Sequence, residues 1–298
     1  SVIGKSKLKR DLIALDVYEG DPKGKEMIVI LSRQHPPEVT GYLAMQAFVT
    51  EILDKARLSK DFRKKYRILI FPMLNPDGAE VYTRENAHKI DLNRDAVAIK
   101  AKESKLLRAL LDKFKPDFCF NLHDQRTIFG VEGTENPATI SFLAPSEEKT
   151  KAITPGRIQT MNVITVMNSL LQQIIPNHVG RYTDEFYPTA TGDNFQKLGF
   201  NTILIEAGHY KDDYEREKVR KFNFYALLQG VYHIALEDKF DSFKEYFTIP
   251  NNQKNFYDVI HINAQGIKEA AFQYKESIIN DKFLLSLEKI NIENLTDF

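Results

Sequence analysis

Apolar positions along the chain fall into two alternating rhythms. Met27-Ile28-Val29-Ile30-Leu31 is apolar at every position, which predicts a strand buried on both faces. A polar turn from Ser32 to Glu38 follows, and Val39 to Ala56 then has helical spacing, with Leu43, Ala47, Val49 and Leu53 among its apolar positions. Arg67-Ile68-Leu69-Ile70-Phe71 repeats the buried-strand pattern and ends at Pro72 and the turn Asn75-Pro76-Asp77-Gly78. Lys100 to Phe114 is helical in spacing (Leu106, Leu107, Leu110, Leu111) and stops at Pro116. Asp117 to Leu122 predicts a third strand and Thr139 to Leu143 a fourth. Glu147 to Ile175 is a long helical pattern, broken or kinked near Pro155 and ended before Pro176. Asn201 to Glu206 predicts a further buried strand, and Asp213 to Leu236 a helix with Val219, Phe222, Leu227 and Val231 turned inward.

Strands alternating with helices predict an α/β fold: a mixed, largely parallel central sheet flanked by helices on both faces. From about Asp241 the rhythm is lost, and the chain becomes rich in Asn, Lys and Phe. The expected division is therefore a main domain over 1–240 and a short C-terminal extension over 241–298, with one helix predicted from Gln265 to Ser277. No internal repeat or low-complexity segment interrupts either part.

Composition narrows the chemistry. With 298 residues, 43% of them apolar, and 41 basic against 41 acidic side chains, the chain is neither disordered nor fibrous. A net charge of zero argues against a dedicated nucleic-acid binder. No apolar run approaches the ~20 residues that a membrane-spanning helix needs. The single cysteine, Cys119, excludes a cysteine-based zinc or iron–sulfur site, so any metal must rest on the seven histidines and the carboxylates. The chain starts at Ser1 without a basic-then-apolar leader, which reads as a processed or trimmed start and leaves the compartment open.

Four polar clusters fall where predicted strands end, which is where open α/β sheets hold their sites. His35-Pro36-Pro37-Glu38 follows the first strand; a His in the turn and a Glu opening the helix can face one point, and both suit a borderline cation. The same pair also suits a surface contact or a helix cap. His123 ends the third strand and would complete a His₂-carboxylate set with an open position, its ring oriented by Asp124 or a nearby carbonyl. Glu206 follows four buried apolar residues, a costly position for a carboxylate unless it is paired or catalytic. Arg84 and Asp91-Leu92-Asn93-Arg94 offer guanidinium forks beside an amide, suited to a planar carboxylate or an oxyanion, and equally read as solvated surface charge.

The conjunction of these signals, in this order, resembles the zinc metallocarboxypeptidases (the funnelin or M14 peptidases) over roughly residues 1 to 240. His35-Pro36-Pro37-Glu38 and Asp91-Leu92-Asn93-Arg94 look closer to the bacterial and cytosolic-carboxypeptidase-like branches than to the digestive enzymes. The resemblance implies a catalytic domain over 1–240 and one Zn²⁺ held by His35, Glu38 and His123. It further implies Glu206 as general acid/base, Arg84 as the group that steadies the scissile carbonyl, and Asn93 with Arg94 as the grip on a terminal carboxylate. The family's mobile tyrosine corresponds to Tyr187 or to Tyr182. The implied substrate is a peptide with a free C-terminal carboxylate, and the implied reaction is hydrolysis of its last peptide bond.

An N-acyl amino-acid deacylase or murein-peptide amidase is the alternative on the same fold. A catalytically dead module that uses Arg94 to hold peptide C-termini is a third reading, against which stands the presence of all six central residues. Asp193 stands either in the pocket wall, facing a basic substrate side chain, or as a helix cap. His209 is either a packing residue or a substrate contact. Arg84 and Arg94 are expected to make the cleft positive within an otherwise neutral chain.

Overall fold

A computed structural model describes residues 1–54, 57–237, 240–280 and 282–290. The N-terminal hairpin β1 (Val2–Lys5) and β2 (Asp11–Ile13) leads to β3 (Leu15–Val17), β4 (Glu26–Leu31), α1 (Thr40–Leu53), α2 (Arg57–Lys65), β5 (Tyr66–Phe71) and α3 (Pro76–Glu80). Then come α4 (Lys102–Phe114), β6 (Phe118–Asp124), β7 (Phe129–Val131), β8 (Ile140–Leu143), α5 (Pro155–Ile174) and β9 (Val179–Arg181). The remainder is α6 (Thr191–Lys197), β10 (Asn201–Ala207), α7 (Glu217–Tyr232), β11 (Asn252–Lys254), β12 (Val259–Ile262), β13 (Lys268–Ile279) and β14 (Lys282–Ile290).

Seven strands form the central sheet in the order β3-β5-β4-β6-β10-β8-β9. The four at its middle, β5, β4, β6 and β10, run parallel, while β3 and β8 pair antiparallel with their inner neighbours. The expected mixed, largely parallel sheet is thus present. Both of its faces are covered, which is why its strands are apolar at successive positions. Ile28, Ile30, Phe118, Phe120, Leu122, Ile203 and Ile205 point to one side, against Met45, Phe48, Met161, Ile164, Met167 and Leu227 of α1, α5 and α7. Val29, Leu31, Leu69, Phe71 and Cys119 point to the other, against Leu107 and Leu111 of α4 and Phe195 of α6.

The chain leaves β4 for β5 on one side and returns to β6 on the other. That reversal opens a crevice beyond the C-terminal ends of β4 and β6, the natural ligand position in such sheets.

Two sequence expectations are corrected. Pro155 does not kink a helix; it is the first residue of α5, where its missing N–H costs nothing, and Thr154 caps it by accepting the Arg157 N–H at 3.2 Å. The segment Gln265–Ser277 is not helical: from Lys268 it is the strand β13, between β12 and β14. Its Ala and Glu content favours a helix, but turns with positive φ at Gly266 and Asn280 bound it, and nine β13–β14 residue pairs form one antiparallel ladder. Residues just before this small sheet are built into the main body. Tyr246 is buried in the larger core, with its hydroxyl accepting the Ala144 N–H, and β11 pairs with β7. No helix among the described residues is long and apolar enough to cross a membrane.

Helix α1 approaches β6 closely at Gly41, where an added Cβ would lie 2.8 Å from Leu122 Cβ. Gly to Ala inside a helix ordinarily stabilises by ~1 kcal/mol. Here overpacking reverses the sign, and Gly41→Ala is expected to destabilise by ~1–3 kcal/mol. A lowered thermal midpoint checks this, and an unchanged or raised one contradicts it.

Candidate metal centre and active site

Each candidate ligand follows from the sheet. His35 lies just beyond β4, and Glu38 lies two residues before α1. His123 is next to last in β6, on the face shared by Cys119, since side chains alternate along a strand. His35, Glu38 and His123 bring one ligand atom each within 4.8 Å of one another. The Glu38 carboxylate bridges the two rings: Oε1 lies 2.7 Å from His35 Nδ1 and Oε2 2.7 Å from His123 Nδ1. Burial alone would raise the Glu38 carboxyl, but His123 and His35 outweigh it and hold it well below the usual range.

This donor set fits a metal ion. Each nitrogen-to-oxygen contact requires a shared proton, and those protons occupy the lone pairs that a cation would take. Two imidazoles and one carboxylate are the chemistry of a catalytic zinc site with an open position. His35 is also held from behind. Its Nε2 lies 2.9 Å from Asp91 Oδ1, which fixes Nε2 as the protonated nitrogen and leaves Nδ1 for a metal. Burial would raise the Asp91 carboxyl, yet His35 and Arg84 keep it far below its ordinary value. Asp91 was visible in the sequence only as part of its motif, with no role of its own.

The expected orienting group for His123, Asp124, points elsewhere. It accepts the Thr40 N–H at 3.1 Å and the Thr40 hydroxyl at 2.7 Å, and pairs with Arg216 at 3.3 Å. Adjacent strand residues face opposite ways, so Asp124 serves the start of α1 while His123 serves the cleft.

Glu206 reaches the site through strand register. In the parallel β6–β10 pair it lies directly beside His123, on the same face. Burial raises its carboxyl; nearby His123 opposes that, while Glu38 and Asp124 reinforce it. No hydrogen bond to its side chain occurs among the described residues.

The arginines separate into different roles. Arg84 is half exposed; its Nε donates to Asp91 Oδ2 at 2.9 Å and its Nη1 lies 3.7 Å from Glu38. Arg94 has no carboxylate within ion-pair distance among the described residues, and its guanidinium sits 5.7 Å from the centre of the Tyr187 ring. Asn93 is buried beside it, on a short 3₁₀ turn that Asp91 caps by accepting the Asn93 N–H at 2.8 Å. Tyr187 is half exposed, whereas Tyr182 is more enclosed and its hydroxyl is pushed up to about 12 by burial and by Glu206.

Asp193 sits in the first turn of α6 and accepts the Tyr187 N–H at 3.2 Å, so it folds the Tyr187 loop onto the helix start. Burial raises its carboxyl to about 6. His209 packs edge-on against Phe256 at 5.1 Å, and burial lowers its ring to about 4.

The turn Asn75-Pro76-Asp77-Gly78 acts as a latch. Asn75 caps α3, and its amide donates to the carbonyls of Gln34 and Arg84 at 3.4 Å each. Asp77 takes the Ser6 hydroxyl, the Leu8 N–H and Arg10 from the N-terminal hairpin. Gly78 is required, since a Cβ there would lie 2.6 Å from Glu85 O and 2.7 Å from Asn75 Nδ2.

The fold is that of the zinc carboxypeptidases, and it carries a His-Glu-His group able to hold one metal ion. The zinc carboxypeptidase (peptidase M14) family model matches residues 1–123, a segment that carries His35, Glu38, Arg84, Asn93, Arg94 and His123. The match covers less than half of the chain. A probable carboxypeptidase 2 of Arthroderma benhamiae is 27% identical over 90 residues, 30% of this chain and 17% of the relative. Carboxypeptidase 2 of Trichophyton tonsurans is 26% identical over the same shares. The chain thus spans 17% of the length of these curated relatives.

Among solved structures, a putative carboxypeptidase A from Shewanella denitrificans superposes with a TM-score of 0.62 at 19% identity, over 80% of this chain and 64% of that one. A metallo-carboxypeptidase from Burkholderia cenocepacia gives 0.61 at 17%, over 78% and 64%. These likenesses establish the fold.

Asp91→Asn is expected to lower metal affinity by ~10–100-fold, because the orienting acceptor for His35 is weakened. Competition with a zinc chelator measures this. Unaltered affinity would leave Asp91 without the orienting role.

Proposed function

We propose that this chain is a zinc-dependent metallocarboxypeptidase that hydrolyses the C-terminal peptide bond of peptides. One observation carries the reading: His123 of a His-Glu-His metal group lies in strand register with a half-buried carboxylate that has no hydrogen-bond partner among the described residues, Glu206. Zn²⁺ held by His35, Glu38 and His123 would acidify water and polarise the scissile carbonyl. Glu206, whose carboxyl is raised by burial, is suited to take a proton from that water and deliver it to the leaving amine. Arg84 can steady the developing oxyanion with its outer nitrogens while Asp91 holds its Nε, a contribution of ~3–4 kcal/mol for a well-placed donor.

The Arg94 guanidinium, whose Nη1 donates to Asn93 O at 3.1 Å and which has no carboxylate partner among the described residues, forms with the Asn93 amide the receptor for the terminal carboxylate. Tyr187, against Arg94, borders that receptor and is the preferred candidate for the mobile tyrosine over the more enclosed Tyr182. Fixing the carboxylate at Asn93–Arg94 brings only the last peptide bond to the metal, which makes the reaction exopeptidic.

Glu206→Gln is expected to cut turnover of a blocked dipeptide by ~10²–10⁴-fold while zinc content stays at one ion per chain. Turnover of the substituted enzyme at the unsubstituted rate would exclude Glu206 as the base. Comparing the blocked dipeptide with an N-acyl amino acid in the same assay separates the peptidase from a deacylase. Faster cleavage of the N-acyl amino acid decides for the latter.

A further inference from the structure

Asn93 is held by a contact that no motif announces. Thr191 is the first residue of α6, so its N–H is one of the donors that a helix start leaves without an intrahelical partner. That N–H donates to Asn93 Oδ1 at 3.2 Å. The Thr191 hydroxyl accepts from Gln34 Nε2 at 2.9 Å and lies 3.5 Å from Leu92 O, and Gln34 Nε2 also reaches Leu92 O at 3.4 Å. Gln34, Thr191 and Asn93 are 1%, 2% and 9% exposed. Gln34 directly precedes His35, so this cluster joins the metal-ligand loop, the Asn93–Arg94 turn and the start of α6.

The contact sets the polarity of the Asn93 amide. Its two ends are unlike: the oxygen only accepts and the NH₂ only donates. A reversed amide would set NH₂ against the Thr191 N–H, donor to donor. With the oxygen committed to Thr191, the NH₂ is the end left for a ligand, and among the described residues it makes no hydrogen bond to protein. An outward NH₂ recognises an anionic oxygen; an outward oxygen would repel it and welcome a carboxamide.

We propose that Thr191, through its backbone N–H, and Gln34, through the Thr191 hydroxyl, are positioning residues that lock the Asn93 amide for a free carboxylate over a carboxamide. This rests on the reading of Asn93 and Arg94 as the carboxylate receptor.

The start of α6 permits a clean test. Ala190 has φ −73° and ψ 145°, the conformation a residue before proline prefers, and proline is favoured at the first position of a helix. Thr191→Pro therefore deletes the N–H together with the hydroxyl, with the helix start retained, whereas Thr191→Ala deletes the side-chain hydroxyl and methyl but keeps the N–H, so the difference between the two reads the N–H. The zinc-loaded full chain is assayed on a blocked dipeptide and on its C-terminal amide. Binding of an N-blocked amino acid to the Glu206→Gln protein is measured alongside by calorimetry.

Thr191→Pro is expected to raise KM for the free carboxylate, and weaken the calorimetric affinity, by about tenfold or more, the scale of one lost hydrogen bond to a charged group. Its kcat should change less than about threefold, since the metal group is untouched, and the preference for carboxylate over amide should fall with the affinity. Thr191→Ala should show a smaller shift, and Thr191→Ser should recover the parent values. In an Asn93→Ala background Thr191→Pro should add nothing, because both substitutions act on one contact.

Gln34→Met, which keeps the side-chain volume, supplies a second route should the proline variant lose its thermal transition. It should raise KM in the same direction, and only while Asn93 is present. Equal effects of Thr191→Pro and Thr191→Ala, a fall in kcat at constant KM, or full additivity with Asn93→Ala would each overturn the proposal. If the parent chain releases no C-terminal residue and Asn93→Ala leaves ligand binding unchanged, the carboxylate-receptor reading itself fails and the lock falls with it. If the parent and Asn93→Ala behave as expected while Thr191→Pro does not, only the lock fails.

Discussion

The geometry of the site depends on the Asp91 carboxylate. Its Oδ1 takes His35 Nε2 and the Asn93 N–H, and its Oδ2 takes Arg84 Nε. One side chain therefore touches a metal-ligand candidate, the arginine beside it and the turn that carries Asn93 and Arg94. These three lie on separate stretches of chain, and a loop of more than twenty residues between β5 and α4 carries two of them. Such a loop would be free to drift if each contact were an ordinary surface pair, worth under ~1 kcal/mol. The partly buried carboxylate, drawn on by an imidazole and a guanidinium, makes the arrangement one network, and Asn75 ties the same loop to Gln34.

The sheet supplies what the loops cannot. Reversal of strand order at β4 brings the ends of β4 and β6 to one crevice, and parallel pairing of β6 with β10 sets Glu206 beside His123. Parallel register keeps paired residues on one face, so His123 and Glu206 project together with no loop between them. His123 and Glu206 are thus set by strands, whereas His35, Glu38, Arg84, Arg94 and Tyr187 stand on the connections between elements. On the proposed reading that division would suit a base held by strands within reach of a metal and a carboxylate receptor carried on loops.

Strong apolar runs made the fold legible in the sequence. His35, His123 and Glu206 stood out because each is polar just where such a run stops. What escaped reading depends on contacts between distant segments. Asp91 acts on His35 across 56 positions, and Thr191 acts on Asn93 across 98. Of the two orienting groups open for His123, Asp124 is adjacent in sequence, but strand alternation turns it to the opposite face, toward Thr40 and Arg216. The C-terminal strand β13 was misread because Ala270 and Ala271 have helical propensity, which pairing on both edges overrides. Short pieces such as β3, β9 and α6 carry too few residues for any periodicity to register.

Charge within the site sorts the two ends of a substrate on the proposed reading. A chain with 41 basic and 41 acidic side chains has no overall field to steer a carboxylate, so discrimination has to be local. Arg84 is already matched: an incoming carboxylate there would meet Asp91 at 2.9 Å and Glu38 at 3.7 Å from the same guanidinium. Arg216 is likewise occupied by Asp124 and by the carbonyls of Ala207 and Gln125. Of these three arginines, Arg94, lying against the Tyr187 ring and with no carboxylate in ion-pair range among the described residues, is the one left with unspent charge. On the proposed reading a full negative charge would settle at Arg94, while the weaker dipole of a peptide carbonyl, which brings no net charge against Asp91 and Glu38, would be tolerated at Arg84. On the same reading the acidic partners of Arg84 would serve specificity: by making that arginine unattractive to anions, they would disfavour a substrate bound backwards across the metal group.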